Sequence, residues 1–449
     1  RTMPPFLTGR VRMADLNGDG VIDAMYSTGR GFASYINNGQ QGWAEPTMAN
    51  NATKADFTDP LTYMADMSGD GLPDVVRVRS GLVEYWPNLG HGRFGDCITM
   101  MNSPRLQGIS NSSEQLLLSD VDGDGCCDLI RISAKGTELY INQSGRRFAS
   151  PVVHPVIPIP ITGTVRAVDM YGQGKAGLLY NTLKGGKTAY VYFGFSDKIP
   201  PYLISRIDNG TGLVSEIEYS PLVKMALTDL EEGRKWDTYM PFPLWLVSTT
   251  RETDTIRGRT SEVHYRYHDG HFDPLLRRFQ GFRNVDKTEA GDESRADTLV
   301  KYTFLMNQAA LPGKSREHAH LDRLLEKVAL FSLDGTPKQD LPYHTEETEY
   351  GLKHLETLPD GTARVFVFIQ NTRKIYLERT DDERVEQRTF DYDAFGNVIR
   401  ETTRGYGTEN GTPVPEKEVL TEVSYATDPQ NVIFKINRVV KRNTSGKII

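Results

Sequence analysis

The feature that most constrains the fold is a nine-residue, aspartate-rich loop that recurs along the first half of the chain. The first copy reads Asp15-Leu-Asn-Gly-Asp-Gly-Val-Ile-Asp23, with oxygen-bearing side chains at positions 1, 3, 5 and 9 and glycine at positions 4 and 6. Close copies begin at Asp66 and Asp120, and a degenerate copy begins at Asp169. The copies start 51, 54 and 49 residues apart (66 − 15, 120 − 66, 169 − 120). A period near 50 residues indicates a repeat architecture.

The residues between the loops have the pattern of a β-meander. After each complete loop come an apolar run, a glycine turn and a second run that ends in Tyr35-Ile-Asn, Tyr85-Trp-Pro-Asn or Tyr140-Ile-Asn. Short strands separated by Gly and Asn turns predict a meander, and a meander with this period predicts the blade of a β-propeller. Four blades are too few to close a ring, and the chain opens at Arg1 inside a blade. We therefore expect a piece of a longer protein.

The loops are candidate structural calcium sites. Alternate carboxylates on a tight loop repel one another, and Ca²⁺, a hard cation with flexible oxygen coordination, relieves that repulsion. The candidate ligands are Asp15, Asn17, Asp19, the Val21 carbonyl and Asp23; Asp66, Ser68, Asp70 and Asp74; and Asp120, Asp122, Asp124 and Asp128. The glutamate that an EF-hand needs at position 12 is absent. The alternative is an Asx-rich turn satisfied by its own backbone amides, without metal. The degenerate fourth loop has lost most of its carboxylates and is not expected to bind.

Composition excludes several classes of function. The formal net charge is −7 and there is no long basic run, which argues against nucleic acid as a partner. The apolar tracts are only a few residues long, so no segment is expected to span a membrane. Three cysteines, two of them adjacent at Cys126 and Cys127, do not form the pattern of a disulfide framework.

Beyond the blades the chain remains rich in β-type sequence. A Pro-rich link over 151–160 leads to the degenerate fourth blade at 165–196. The stretch 203–219 predicts a hairpin in which Asn209-Gly210 supplies the positive φ angles of the turn. Residues 224–239 are charged and loop-like, with a short helix as an option. Alternation before the Asp334-Gly335 turn favours a strand over a helix at 324–333, and residues 364–369 predict a strand.

The segment 263–273 is dense in histidine and acidic residues, and a metal or acid/base site is one interpretation. Strand periodicity, however, puts His264, Arg266 and His268 on one face, and a guanidinium between two imidazoles does not suit a cation. Asp269-Gly270 has the pattern of a hairpin turn. We therefore favour a structural role for these residues.

Near the end, Phe390-Asp-Tyr392-Asp393-Ala-Phe395-Gly-Asn397 matches a tyrosine-aspartate (Rhs/YD) repeat, whose strands wind into a hollow shell. With Ile207-Asp-Asn-Gly-Thr-Gly, Met240-Pro-Phe-Pro and Arg278-Phe-Gln-Gly-Phe282 in the middle, the whole chain resembles the B component of bacterial Tc insecticidal toxin complexes. The resemblance implies an all-β protein with three parts: FG-GAP/VCBS-type propeller blades at 1–198, a β-rich middle domain at 199–360, and the start of the Rhs/YD shell at 361–449.

The resemblance further implies a secreted, non-enzymatic toxin component. Its propeller would dock on the A-component translocation channel and gate it. Its shell, completed with a C component, would enclose a cytotoxic polypeptide. The alternative is a Ca²⁺-stabilised FG-GAP adhesion propeller on a cell surface, which leaves the YD segment without a role. An enzyme using blade carboxylates or the 264–273 cluster is a third hypothesis, disfavoured because these carboxylates sit at turn spacing.

Overall fold

The computed structural model describes residues 3–49, 55–90, 92–106, 114–133, 136–154, 165–196, 199–237, 240, 242–273, 278–359, 361–409, 411–428, 433–443 and 445–449. Almost all of its regular structure is antiparallel β-strand. The predicted all-β fold class is thereby confirmed. Within the described residues, no helix combines the length and the apolar character that crossing a membrane would require.

The first two blades are four-stranded antiparallel meanders in chain order. The first contains β1 (Val11–Ala14), β2 (Asp23–Ser27), β3 (Phe32–Tyr35) and β4 (Thr47–Ala49). The second contains β5 (Thr62–Ala65), β6 (Asp74–Arg79), β7 (Leu82–Trp86) and β8 (Ile98–Met100). In both blades the aspartate-rich loop joins the first strand to the second.

The third blade repeats this plan with β9 (Gln115–Ser119), β10 (Asp128–Ser133), β11 (Gly136–Tyr140) and, after a two-stranded ribbon of β12 (Asn142–Gln143) and β13 (Arg147–Phe148), β14 (Val152–His154). The fourth has β15 (Val165–Val168), β16 (Gly177–Lys184) and β17 (Lys187–Phe193). The predicted start of the Pro-rich link at 151 was wrong, because Val152–His154 pairs with β11. Residues 155–160 of that link lie outside the described part.

The propeller core lies between successive blades. Leu16 and Phe32 of the first blade pack in one cluster with Val75, Trp86 and Phe94 of the second. Two further clusters join the second blade to the third and the third to the fourth in the same way. Position 2 of each complete loop is buried in these clusters, with Leu16, Met67 and Val121 at most 3% exposed. Each blade therefore needs its neighbour to bury its apolar face.

The rest of the chain forms one 13-stranded antiparallel sheet whose strand order follows chain order. Its strands are β18 (Arg206–Asp208), β19 (Leu213–Pro221), β20 (Trp245–Asp254), β21 (Arg259–Asp273), β22 (Arg278–Glu289), β23 (Asp297–Phe304), β24 (Leu325–Leu333), β25 (His344–Thr357), β26 (Ala363–Tyr376), β27 (Arg384–Tyr392), β28 (Val398–Glu409), β29 (Thr412–Asp428) and β30 (Ile433–Asn443). One α-helix, α1 (Leu222–Glu231), follows β19. Short 3-10 helices occur at Phe6–Thr8, Gly39–Gln41, Gln308–Ala310 and Arg316–Leu321.

Several local predictions in this sheet are confirmed. The strand expected at 324–333 is β24, that at 364–369 lies in β26, and the optional helix within 224–239 is represented by α1. The predicted YD segment forms the β27–β28 hairpin, and its Tyr392 hydroxyl donates to the Ile369 carbonyl of β26 at 2.8 Å. Strands of the predicted middle domain and shell belong to the same sheet, and the boundary at 360/361 stays a prediction.

Two predicted turns need correction. At the 203–219 hairpin the left-handed residues are Gly210 (φ 68°) and Gly212 (φ 105°). Asn209 contributes its side-chain oxygen instead, which accepts the amides of Thr211 and Leu213. Asp269-Gly270 was wrongly predicted as a hairpin turn. It lies inside β21, which continues to Asp273, and Asp269 takes a left-handed φ of 52° without ending the strand.

Candidate functional site

The first aspartate of each complete loop holds the loop together. Asp15 Oδ1 accepts the Gly18 amide at 2.7 Å and its Oδ2 accepts the Gly20 amide at 2.8 Å. Asp66 and Asp120 repeat both bonds at 2.6 to 2.9 Å. Glycine is needed at these two positions because Gly18 and Gly20 have φ of 74° and 79°, values that residues with a side chain rarely adopt. This is the hydrogen bonding of an Asx-rich turn.

The ninth-position aspartates have a structural role in each loop. Asp23, Asp74 and Asp128 are fully buried. In each, Oδ2 accepts the amide of loop position 2 and Oδ1 accepts the amide of an asparagine fourteen residues later, all at 2.7 to 2.9 Å. Burial raises their pKa values to about 6, 7 and 8 respectively. Both oxygens of these predicted ligands are thus engaged by backbone, and their role toward a metal stays a prediction.

The asparagines connect one blade to the next. The Asn88 side chain donates to the Leu16 carbonyl of the preceding blade at 3.1 Å, and Asn142 donates to the Met67 carbonyl at 2.9 Å. A second set of bonds joins the loops directly, since the Cys127 amide donates to the Asp66 carbonyl at 2.6 Å. Successive loops are therefore stacked in contact with one another rather than scattered over separate sheets.

The third loop fits a cation best. Ligand atoms of Asp120, Asp122 and Asp124 all lie within 4.8 Å of one another, and this is the one such acidic or histidine group of three among the described residues. Burial and the neighbouring charges raise the pKa of Asp122, and that of Asp120 to about 6. The clustered oxygens are the donor type that Ca²⁺ takes.

The first and second loops fit a cation less well. Asn17 replaces a carboxylate at position 3 of the first loop, and its amide nitrogen donates to Asp19 Oδ2 at 2.9 Å. In the second loop Ser68 takes that position. The Val21 amide donates to Asp19 Oδ1 at 2.8 Å. An amide or hydroxyl at position 3 relieves the repulsion that a cation would otherwise balance.

The fourth loop has become a joint between the propeller and the sheet. The Trp245 indole on β20 donates to the Gln173 carbonyl at 2.8 Å. The Lys175 ammonium lies 5.8 Å from the centroid of the same indole, a cation–π distance. A Cβ added at Gly172 would lie 3.3 Å from Val223 of α1. This loop, which lacks most of the carboxylates of the other three, thus contacts β20 and α1 instead.

Gly177 stands where the other loops have their buried aspartate, and Tyr192 fills its place. A Cβ at Gly177 would lie 2.6 Å from the Tyr192 hydroxyl. Burial raises the pKa of Tyr192, while hydrogen bonds with the backbone of Met170 and Gly177 act in the opposite direction. The Tyr192 phenol thus takes the place of the carboxylate that bonds to the backbone of position 2 in the other loops. The Gly and Tyr are readable in the sequence, but their pairing is not.

The segment 263–273 lies in an ion-pair network. His264 Nε2 lies 3.1 Å from Glu262, and Arg266 contacts Asp229 and Glu232 at 3.2 and 3.0 Å. His268 is buried against Asp229, with 2.5 Å between Nδ1 and Oδ2. These contacts agree with the structural interpretation, and they involve α1, which sequence reasoning did not connect to this strand.

Propeller blades followed by a single long-stranded antiparallel sheet are the architecture that the resemblance to Tc toxin B components implies. Residues 149–309 match the family model for the insecticide toxin TcdB middle/N-terminal region. The resemblance to the B component, drawn from the sequence, is therefore confirmed. No curated protein matches the chain.

Solved structures agree over nearly the whole chain. The Photorhabdus luminescens Tc holotoxin pore with a TccC3 D651A mutation has a TM-score of 0.82 at 20% identity, covering 98% of this chain and 24% of that one. A TcdB2–TccC3 crystal structure has a TM-score of 0.73 at 17% identity, covering 97% and 30%. The chain thus spans a quarter to a third of the length of these proteins, and at such identities the likeness establishes the fold.

Proposed function

We propose that this chain is part of a non-enzymatic component of a secreted Tc-type toxin complex. The observation that carries the proposal is the match of residues 149–309 to the TcdB family model within a fold that agrees with the Tc holotoxin pore over 98% of the chain. The similar structures are a complex of TcdB2 with TccC3 and a Tc holotoxin pore. By analogy, the partners here are an A-component channel and a C component.

In this proposal the propeller docks on the A-component channel and gates it, while the large sheet forms part of the wall of the shell that encloses the cargo. A single sheet of 13 strands in chain order supports the second part. Most positions of β25 to β28 are half-buried or exposed on both faces, as a thin wall with solvent on each side requires. The cell-surface adhesion alternative is not favoured, because it assigns no role to these strands.

Binding of the full-length protein, assembled with its C component, to a purified A-component pentamer tests the docking role. We expect a saturable complex on size-exclusion chromatography. An unrelated calcium-stabilised propeller of similar size is the control and should not co-elute. Failure of the full-length assembly to bind the pentamer would refute docking. Protection of the C-component cargo from added protease tests the wall separately, and cleavage at the rate of free cargo would refute it.

We also propose that the third loop holds a structural Ca²⁺ through Asp120, Asp122 and Asp124, with weaker sites in the first two loops. The convergence of these three carboxylates supports it. A ligand that binds only the folded state stabilises it by about 2.7 kcal/mol at a hundredfold excess over Kd. Added Ca²⁺ should therefore raise the melting temperature.

Variants locate the calcium effect. Asp124→Ala should remove most of the calcium-dependent rise in melting temperature, and Asp19→Ala a smaller part. Asp169→Asn, in the degenerate loop, is the matched control and should leave the rise intact even if it lowers the starting temperature. An identical melting curve in chelator and in Ca²⁺ would refute the metal proposal and leave the docking proposal untouched.

A further inference from the structure

Helix α1 lies between the two halves of the molecule. At its start, Val223 packs beside Gly172 of the fourth propeller loop, and the Leu222 amide donates to the Leu244 carbonyl at 2.8 Å. Near its end, Asp229 is 1% exposed and contacts the large sheet. Movement of the helix would therefore alter the contact between propeller and sheet.

Asp229 is the anchor of the helix on the sheet. Its Oδ2 lies 2.5 Å from His268 Nδ1 on β21 and accepts the Trp236 indole N–H at 2.8 Å. Its Oδ1 accepts from the guanidinium groups of Arg234 and Arg266 at 3.0 and 3.2 Å. Since a carboxylate only accepts hydrogen bonds, His268 Nδ1 must carry a proton toward it.

The surroundings of the other nitrogen of His268 determine which protonation state fits the site. Nε2 is buried without a hydrogen-bond partner and lies 3.7 Å from Asp286 Oδ2 on β22. In a neutral imidazole with its proton on Nδ1, Nε2 is an acceptor, so two acceptors would face each other in a buried site. An imidazolium instead presents an N–H to each carboxylate. Its burial and the two carboxylates act in opposite directions, and the balance raises the pKa of His268 above 6.5.

Charged and titratable groups surround His268 on every element packed against it. They are Arg266 and Asp269 on its own strand, Asp229 and Glu232 at the end of α1, Arg234 and Lys235 after the helix, Asp286 on β22, and Lys301 and Tyr302 on β23. A cavity of about 550 Å³ lined by most of these residues opens beside the imidazole.

We propose that His268 is a proton-operated latch, in which the imidazolium ties Asp229 of α1 to Asp286 of β22. Loss of the Nε2 proton breaks the tie to Asp286 and leaves a neutral Nδ1–H on Asp229, which weakens the hold of the sheet on the end of α1 and loosens the joint between propeller and sheet. The direction follows from linkage. Because the folded-state pKa is raised, the stabilisation is complete below pH 6.5 and is lost as pH rises through the raised value. The latch is thus tight in acid and weaker in base.

Hydrogen exchange of the α1 amides across pH 6 to 9, corrected for intrinsic exchange, tests the latch in the full-length protein. We expect protection of α1 to fall by about tenfold for each unit by which the pKa is raised. His268→Gln should abolish this fall. His264→Gln, on the same strand with its imidazole half exposed, is the matched control and should retain it.

A second variant keeps the test decisive if His268→Gln folds poorly. Asp286→Asn offers an amide N–H to a neutral Nε2, so protection of α1 should persist at high pH. A fall equal to that of the unmodified protein in Asp286→Asn, or loss of the fall in His264→Gln, would overturn the latch. So would a pH dependence that disappears in chelator, because a metal rather than a proton would then lie between Nε2 and Asp286.

Discussion

Asn142→Ala should destabilise the propeller far more than the same change at Asn37, its counterpart in the first blade. Asn142 is 1% exposed. Its side chain donates to the Met67 and Cys127 carbonyls at 2.9 and 3.1 Å and accepts the Gly145 amide at 2.9 Å. Truncation removes three bonds of about 1 kcal/mol each and leaves buried polar groups, so we expect a loss of about 3 to 5 kcal/mol.

Among the described residues, the Asn37 side chain bonds only within its own blade. It donates to the Ile22 carbonyl at 3.1 Å and accepts the Gly39 amide at 3.0 Å, and both bonds are exposed. Its truncation should cost about 1 kcal/mol or less. Urea unfolding followed by circular dichroism, with Trp fluorescence as a second probe, measures both variants. Equal shifts of the unfolding midpoint for Asn37→Ala and Asn142→Ala would refute the view that the asparagine holds one blade to the next.

Three further changes test other contacts. Gly69→Ala should lower the unfolding free energy by about 1–3 kcal/mol more than Gly71→Ala does, as measured by thermal unfolding. Both glycines have positive φ, but only a Cβ at Gly69 would lie 2.9 Å from Cys126 Sγ. Equal losses in the two variants would contradict the stacking of the loops. Without calcium, the unfolding free energy should fall as pH rises from about 4 to about 8 and then level off, since burial raises the pKa of Asp128 from 3.8 to about 8. An unaltered slope in Asp128→Asn would contradict this. Trp245→Phe should separate the calorimetric transitions of propeller and sheet, and a single unchanged transition would argue against the joint.

The sequence predicted what depends on local patterns. The loop that begins at Asp15 and its copies predict the blades, because glycine at fixed positions and alternating oxygen-bearing side chains are local requirements of one turn. The β27–β28 hairpin was predicted for the same reason, and its assignment as a YD repeat stays a prediction. In each case the residues that define the element are also its hydrogen-bond partners.

What escaped prediction depends on residues far apart in the chain. Asn142 bonds to a carbonyl 75 residues earlier, and Trp245 to one 72 residues earlier. Neither partner is marked by spacing or composition, since a backbone carbonyl has no sequence signature. Asp269-Gly270 misled in the opposite way: a dipeptide common in hairpin turns lies within a strand whose pairing with β22 continues on both sides.

The strand order of the large sheet has a consequence for how the protein is made. From β18 to β30 every strand pairs with the strand just before it in the chain, so pairing never waits for a distant segment. Such low contact order favours rapid folding even in an all-β protein. The sheet can grow hairpin by hairpin as the polypeptide leaves the ribosome, each finished edge serving as the template for the strand that emerges next.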